Sequence, residues 1–403
     1  MSGPDLGGIG CAAGANALGY CSAFAQNTAG PPRCRPASNL AVHLTMLYAY
    51  SSKIGRSLFL ACMIFLLIEV SLQIRSQIRY GQSIINVATT LPTYVNDPET
   101  GLKLLRANSI IEGSEAIIQT NAHGLRDAEI PTPAPDGEVR IAVVGASTVM
   151  GAYTKKNEDT LPSRLQYHLQ ERIPDVKIRV INAGIPGYSL RQQAAMVNRL
   201  LKRLDISYYV VYPGFTDISA YCRISVEAVS EVHQIPQLTL PKWLLSIELL
   251  TKNTVWLRTS RAPSISTLDI TQIDDVRYRE QAAQMMNTLA GTDRPAVVVG
   301  NARSFRVDMP LTQQERLSET ARYYNPCLTT ETLHEVYDTH NDILDQAATA
   351  AGLVFFNLQD ILPGGTENFG DATHFSKAGT DQAASLIAER LLRLWFSEYL
   401  REN

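Results

Sequence analysis

Apolar positions along this chain follow three patterns. Residues 1–45 are rich in Gly, Ala, Ser, Asn and Pro and show no apolar period, so the stretch cannot bury a core and is expected to be a disordered tail. From Ser57 to Ile68 (SLFLACMIFLLI) the run is unbroken, and Val70, Leu72 and Ile74 extend it past Glu69 and Gln73. From Val139 onward short apolar blocks alternate with longer segments in which apolar residues recur every three or four positions. The blocks are Arg140–Val144, Lys177–Ile181, Tyr208–Tyr212, Ala296–Val299 and Leu353–Phe356. The helical segments are Leu161–Glu171, Leu190–Leu204, Arg277–Leu289, Leu333–Ala351 and Lys377–Leu400. Continuous apolar strands separated by helices predict a parallel sheet of five strands covered on both faces.

The apolar run, taken as 54–74, reads as a transmembrane anchor. It is at the short end for a spanning helix, which needs about 20 residues. Glu69 falls near its end, where a charge is far cheaper than at mid-bilayer. No small-x-small cleavage site follows, which separates it from a cleaved signal. Met46, followed by a short polar and basic stretch, has the form of a start before a membrane segment, so residues 1–45 are expected to be dispensable. Lys53 and Arg56 before the run nearly balance Arg75 and Arg79 after it; Arg33 and Arg35 tip the balance toward an inside N-terminus, and hence an extracytoplasmic (periplasmic) main domain. Residues 75–135 read as a linker with a few short strands, closed by the proline-rich Pro131–Pro135 before a domain over 136–403. Residues 218–275 interrupt its rhythm and are too long for a plain connection. They are expected to form a helical insertion, either a lid or membrane-facing flap or an added packing layer.

Bulk properties narrow the function classes. With 403 residues, 45% hydrophobic and 19% charged, the chain is globular in composition. Its net charge of −3 and the lack of basic clusters interleaved with aromatics exclude a nucleic-acid partner. Six cysteines form no CxxC pair and no ligand-like spacing with histidine, so no metal or cofactor is expected. Cys222 and Cys327 alone lie in the main domain; they could pair outside the cytoplasm, but two buried free thiols are the expectation.

Candidate chemistry sits where parallel sheets place it, in the loops after strands. The first strand ends at Gly145-Ala-Ser147-Thr, the second at Asn182-Ala-Gly184-Ile-Pro-Gly-Tyr188, the third at Gly214-Phe-Thr216-Asp217. After the fifth comes Asp371-Ala-Thr-His374. Each motif alone is equally a turn or a helix cap. Jointly they supply a serine nucleophile (Ser147), a base (His374), an acid to orient it (Asp371), and backbone or hydroxyl donors at Gly184 and Thr216. Val149 stands where the G-x-S-x-G elbow would have its second glycine. Asn301 and Arg303 after the fourth strand could line the pocket, or equally be surface and turn residues.

In this order the four blocks resemble the SGNH/GDSL hydrolase superfamily, over roughly Val139 to the C-terminus. The Asn121-Ala-His-Gly-Leu-Arg-Asp127 stretch and the apolar run resemble a bacterial membrane-anchored branch. The resemblance implies a flavodoxin-like three-layer α/β/α sandwich, nucleophile Ser147, acid and base Asp371 and His374, and an oxyanion hole from the N–H groups of Ser147 and Gly184 plus an Asn side chain. Two positions depart from the pattern. Ala146 replaces the usual Asp, and Thr216 stands where an Asn is usual, a shorter donor that could slow hydrolysis or redirect it to acyl transfer. The expected function is a membrane-anchored serine esterase acting on an O-acylated small molecule or glycan. The alternatives are an O-acyltransferase for a cell-surface or exopolysaccharide glycan and a catalytically impaired glycan-binding protein.

Overall fold

A computed structural model describes residues 39–80, 93–112, 116–222, 244–246, 249 and 267–397. The expected insertion, 218–275, therefore lies largely outside the described residues, as does the chain before Asn39. The chain divides into two units, Met1–Ile74 and Arg75–Asn403.

The described residues of the first unit all belong to helix α1 (Asn39–Tyr80), which begins within the stretch expected to be a disordered tail. Inside it, Gly55–Arg75 is 21 residues with a mean hydropathy of 2.2, long and apolar enough to cross a membrane. Leu58, Phe59, Leu60, Leu66 and Leu67 all expose more than half of their surface. Gln73 Nε2 donates to Glu69 Oε1 one turn away at 2.6 Å, so the only acidic side chain of the run is hydrogen-bonded within the helix.

Ahead of the main sheet, the second unit has four short strands in two antiparallel pairs, β1 (Tyr94–Asn96) with β2 (Lys103–Leu105) and β3 (Ile110–Glu112) with β4 (Ile117–Gln119). The sheet proper follows: β5 (Glu138–Gly145), β6 (Lys177–Gly184), β7 (Tyr208–Tyr212), β8 (Ala296–Gly300) and β9 (Val354–Asn357). They lie in the order β6-β5-β7-β8-β9 and every pairing is parallel. Numbered from β5, this is the 2-1-3-4-5 order of the flavodoxin-like fold. Side chains alternate across the pleat: Ala142 and Val144 of β5 face one apolar layer, Ile141 and Val143 the other. The first layer holds α4 (Leu190–Arg199), α5 (Val276–Ala290) and α8 (Thr330–Ala350); the second holds α3 (Leu161–Arg172) and α10 (Lys377–Trp395). Burial on both faces explains why the strands read as unbroken apolar runs. Arg140 is the exception within β5. Fully buried, it bonds Glu138 and the carbonyls of Leu204 and Pro131, which offsets the burial of its charge.

Among the described residues, short helices include α2 (Ser147–Met150) after β5, α6 (Leu311–Leu317) and α7 (Glu319–Tyr324) before α8, and α9 (Leu358–Ile361) after β9.

Cys222 and Cys327 form a disulfide with Cα atoms 5.6 Å apart, correcting the expectation of free thiols. Their 105-residue separation hides the pairing in sequence. In space, Ile218 and Cys222, which follow β7, share one apolar cluster with Cys327, Leu328 and Leu333 at the head of α8. Closing so long a loop restricts the unfolded chain strongly. The double variant Cys222→Ser/Cys327→Ser is expected to lose about 2–5 kcal/mol of unfolding free energy, read as a lower denaturant midpoint under non-reducing conditions.

Candidate active site

The strand order reverses at β5, between β6 and β7, and the first candidate loop leaves the sheet there. Strand β5 ends at Gly145, and Ser147 opens the one-turn helix α2. Its Oγ lies 2.8 Å from His374 Nε2. His374 Nδ1 lies 2.7 Å from Asp371 Oδ2, while Asp371 Oδ1 accepts the backbone N–H groups of Thr373 and His374, each at 2.8 Å. The ionised carboxylate can only accept, so Nδ1 carries the ring hydrogen and Nε2 is free to accept from the serine. The structure thus brings together the three residues expected from sequence.

Local chain geometry presents this pair. Phe369 and Phe375 bridge antiparallel, and the Gly370 N–H donates to the His374 carbonyl at 2.9 Å, pinching Asp371–His374 into a tight loop. Ser376 then caps α10 by accepting from the Gly379 N–H at 3.0 Å. Burial alone would raise the Asp371 pKa, but the hydrogen bond and charge of His374 and the two backbone donors hold it below the usual carboxylate value.

The second loop separates two glycines. Gly184 ends β6, and its N–H donates to Asn182 Oδ1 at 3.1 Å. A Cβ there would come within 2.3 Å of the Met150 backbone nitrogen, so Gly184 lets β6 approach the nucleophile helix. Its N–H is therefore engaged, contrary to the expected oxyanion role. Gly187, three residues on, has φ +80° and open space beside its Cα; among the described residues its N–H has no hydrogen-bond acceptor. The Ser147 N–H is likewise without one. The Pro186-Gly187 pair is the turn signal in the sequence that marks this position.

The third loop lies beside the first. Gly214 (φ +90°) sits so close that a Cβ on it would meet the Ala146 Cβ at 3.1 Å. Thr216 follows, half-buried; its carbonyl accepts from Ser219 Oγ at 2.7 Å, and its hydroxyl has no partner among the described residues. Asn301 supports this loop rather than lining a pocket, because its Oδ1 accepts the Gly214 N–H at 2.8 Å. Arg303 is also committed inward, donating to Asp338 at 2.7 Å and to His334 Nδ1 at 3.2 Å. Among the described residues no group of His, Cys, Asp and Glu is arranged to hold a metal.

Asp217 ties the second and third loops together. Its Oδ2 accepts the N–H of Leu190, the first residue of α4, at 3.0 Å, and burial raises its pKa to about 6.

No family model and no curated protein matches the chain. Solved structures do. An alpha/beta hydrolase enzyme from the metagenome of Lake Arreo, Spain, is 14% identical at a TM-score of 0.39, covering 63% of this chain and 96% of its own. A carbohydrate acetylesterase from Sinorhizobium meliloti is 10% identical at 0.39, covering 64% and 100%. An acetylxylan esterase from Geobacillus stearothermophilus is 12% identical at 0.38, covering 63% and 93%.

Asp217 sets a pH signature. Its folded pKa of about 6 exceeds the ordinary 3.8, so between these values the folded state holds a proton that the unfolded chain releases. Stability attributable to Asp217 is then greatest at acid pH and falls as pH rises through this window, by about 3 kcal/mol in total. Asp217→Asn keeps an acceptor for Leu190 and is expected to remove that slope. Urea midpoints at intervals from pH 4 to 7, variant against wild type, measure it; identical slopes would refute the assignment.

Proposed function

We propose that this chain is a serine esterase of the SGNH/GDSL type, cleaving O-acyl esters with Ser147 as nucleophile. The observation that carries this reading is the continuous relay from Ser147 Oγ through His374 to Asp371, with links of 2.8 and 2.7 Å. As Oγ attacks the acyl carbonyl, His374 Nε2 takes its proton and Asp371 stabilises the imidazolium. The alcohol departs with that proton, leaving Ser147 acylated, and water attacks the acyl group by the same route in reverse.

The carbonyl oxygen becomes an anion in the tetrahedral intermediate and needs donors. In this reading they are the N–H groups of Ser147 and Gly187, in place of Gly184, with the Thr216 hydroxyl as third. A hydroxyl reaches less far than an amide and must also turn its proton, so Thr216 is the weakest of the three.

We further assign the protein to a membrane, held by Gly55–Arg75 with the second unit on the extracytoplasmic side. The long apolar helix supports the anchor, and the Cys222–Cys327 disulfide supports an oxidising compartment. The substrate in this reading is an O-acylated small molecule or glycan.

The test uses detergent-solubilised full-length protein and p-nitrophenyl acetate. Ser147→Ala is expected to cut kcat/KM by about 10⁴-fold or more and to abolish labelling by a fluorophosphonate. Turnover that survives this change, or wild-type protein that neither turns over nor labels, refutes the enzyme reading. Thr216→Ala should lower kcat, by less than the about 10²–10³-fold that removal of an amide donor costs, whereas Thr216→Asn should retain or raise it. A large loss in the Asn variant would show that Thr216 has a role of its own.

A further inference from the structure

We infer that Arg126 is the positioning residue of the nucleophile turn, holding the segment Met150–Thr154 so that Ser147 and Tyr153 meet His374 and Asp371 in register. The inference rests on the serine-esterase reading for its effect on rate, and on the geometry alone for its effect on the turn.

Arg126 belongs to the Asn121–Asp127 stretch that precedes the sheet, and only 1% of it is exposed. Nη1 donates to the Gly151 carbonyl at 2.7 Å, the Met150 carbonyl at 3.3 Å and Thr154 Oγ1 at 3.2 Å. Nη2 donates to the Thr154 carbonyl at 3.1 Å, and Nε to Asn157 Oδ1 at 3.0 Å. No carboxylate makes an ion pair with it among the described residues; Glu158 and Asp159 act on it only through longer-range charge. Burial lowers its pKa to about 10, which still leaves a cation at neutral pH. A charge taken out of water is tolerated only when its donors are satisfied. Here backbone carbonyls of the turn immediately after Ser147 provide most of that satisfaction. The neighbouring Asp127 is fastened too, accepting from Arg179 and from the Asn182 N–H at 2.9 Å, so the stretch grips β6 as well as α2.

The turn needs an outside anchor. Helix α2 spans four residues, too few to be rigid by its own hydrogen bonds. Its end carries acceptors that the helix cannot satisfy, and a cation is the favourable partner there. The segment Arg126 grips also touches the other half of the relay. Tyr153, between Gly151 and Thr154, has its ring centroid 5.6 Å from that of His374. A Cβ on Gly370, next to Asp371, would come within 2.6 Å of the same ring. Burial, with the charge of the Asp371 carboxylate, pushes the Tyr153 pKa up. One guanidinium therefore sets the nucleophile's helix at one end and an aromatic brace on the acid–base pair at the other.

The experiment compares Arg126→Met and Arg126→Lys with wild type in full-length, detergent-solubilised protein. Amide hydrogen exchange in residues 147–154 is expected to speed by about tenfold or more in the Met variant, with β8 and α10 unchanged. On p-nitrophenyl acetate kcat should fall by about 10²-fold with KM within about twofold, as for a small misplacement of reacting groups. Lys, which can still donate to the carbonyls, should recover part of both losses. Unchanged exchange in 147–154, exchange accelerated throughout the sheet, or a Lys variant no better than Met would overturn the inference. Wild-type protein that resists fluorophosphonate would sink the esterase reading instead, and the exchange comparison would then decide the role of Arg126 by itself.

Discussion

Ser147 Oγ and His374 Nε2 meet at 2.8 Å although 227 residues separate them along the chain. That hydrogen bond demands more of the fold than any other, because a hydroxyl has little nucleophilicity without a base in reach and sub-ångström errors in placement are expensive. The sheet satisfies the demand by topology. Strand β5 lies between β6 and β7, so its carboxyl end is flanked by two further loops, and the loop before α10 returns His374 over the same edge. Both apolar layers serve this geometry, since α3 and α10 pack one face of β5 while α4 and α5 pack the face behind it.

Around this edge, buried polar side chains hold backbone. Arg126 binds the carbonyls of the turn after Ser147, Asp127 the Asn182 N–H, Asp217 the Leu190 N–H, and Asn301 the Gly214 N–H. Each bond fastens a loop whose apolar side chains, Ile185, Tyr188 and Ile218 among them, are already buried in the core clusters. In a low-dielectric surrounding such bonds are strong when complete and damaging when one partner is lost. The loops are thus held by specific polar pairs added to apolar burial, the sheet beneath by apolar burial and its ladder. The disulfide adds a covalent version of the same device, pinning the segment after the Thr216 loop to the head of α8. Phe215, stacked on Tyr337 of α8 at 6.1 Å, holds the other side of that loop.

Some of this was legible in the residues. Strands covered on both faces must be apolar throughout, and helices covering them must be apolar every third or fourth position, so the αβ alternation and all five strands of the sheet could be read directly. The spacing within Asp371-Ala-Thr-His374 is equally local, because a carboxylate and an imidazole three residues apart on a tight turn have few ways not to meet. Boundaries were less legible: α1 begins at Asn39 because a helix can propagate into a segment whose composition alone argues for coil.

What the sequence by itself determined is therefore whatever follows from periodicity and short spacing: the layered parallel fold, one long apolar helix, and a serine, acid and base at strand ends. Only the tertiary structure decided which groups are free to act. Gly184 and Gly187 look alike in the chain, yet one N–H is taken by Asn182 and the other has no acceptor among the described residues. Cys222 and Cys327 look like two isolated thiols until an apolar cluster brings them together. Arg126 reads as an ordinary loop arginine until the backbone carbonyls of a distant turn surround it. The physical reason is common to all three: availability of a donor, a thiol or a charge depends on what packing places within about 3 Å of it, and that neighbourhood is assembled from segments far apart in the chain.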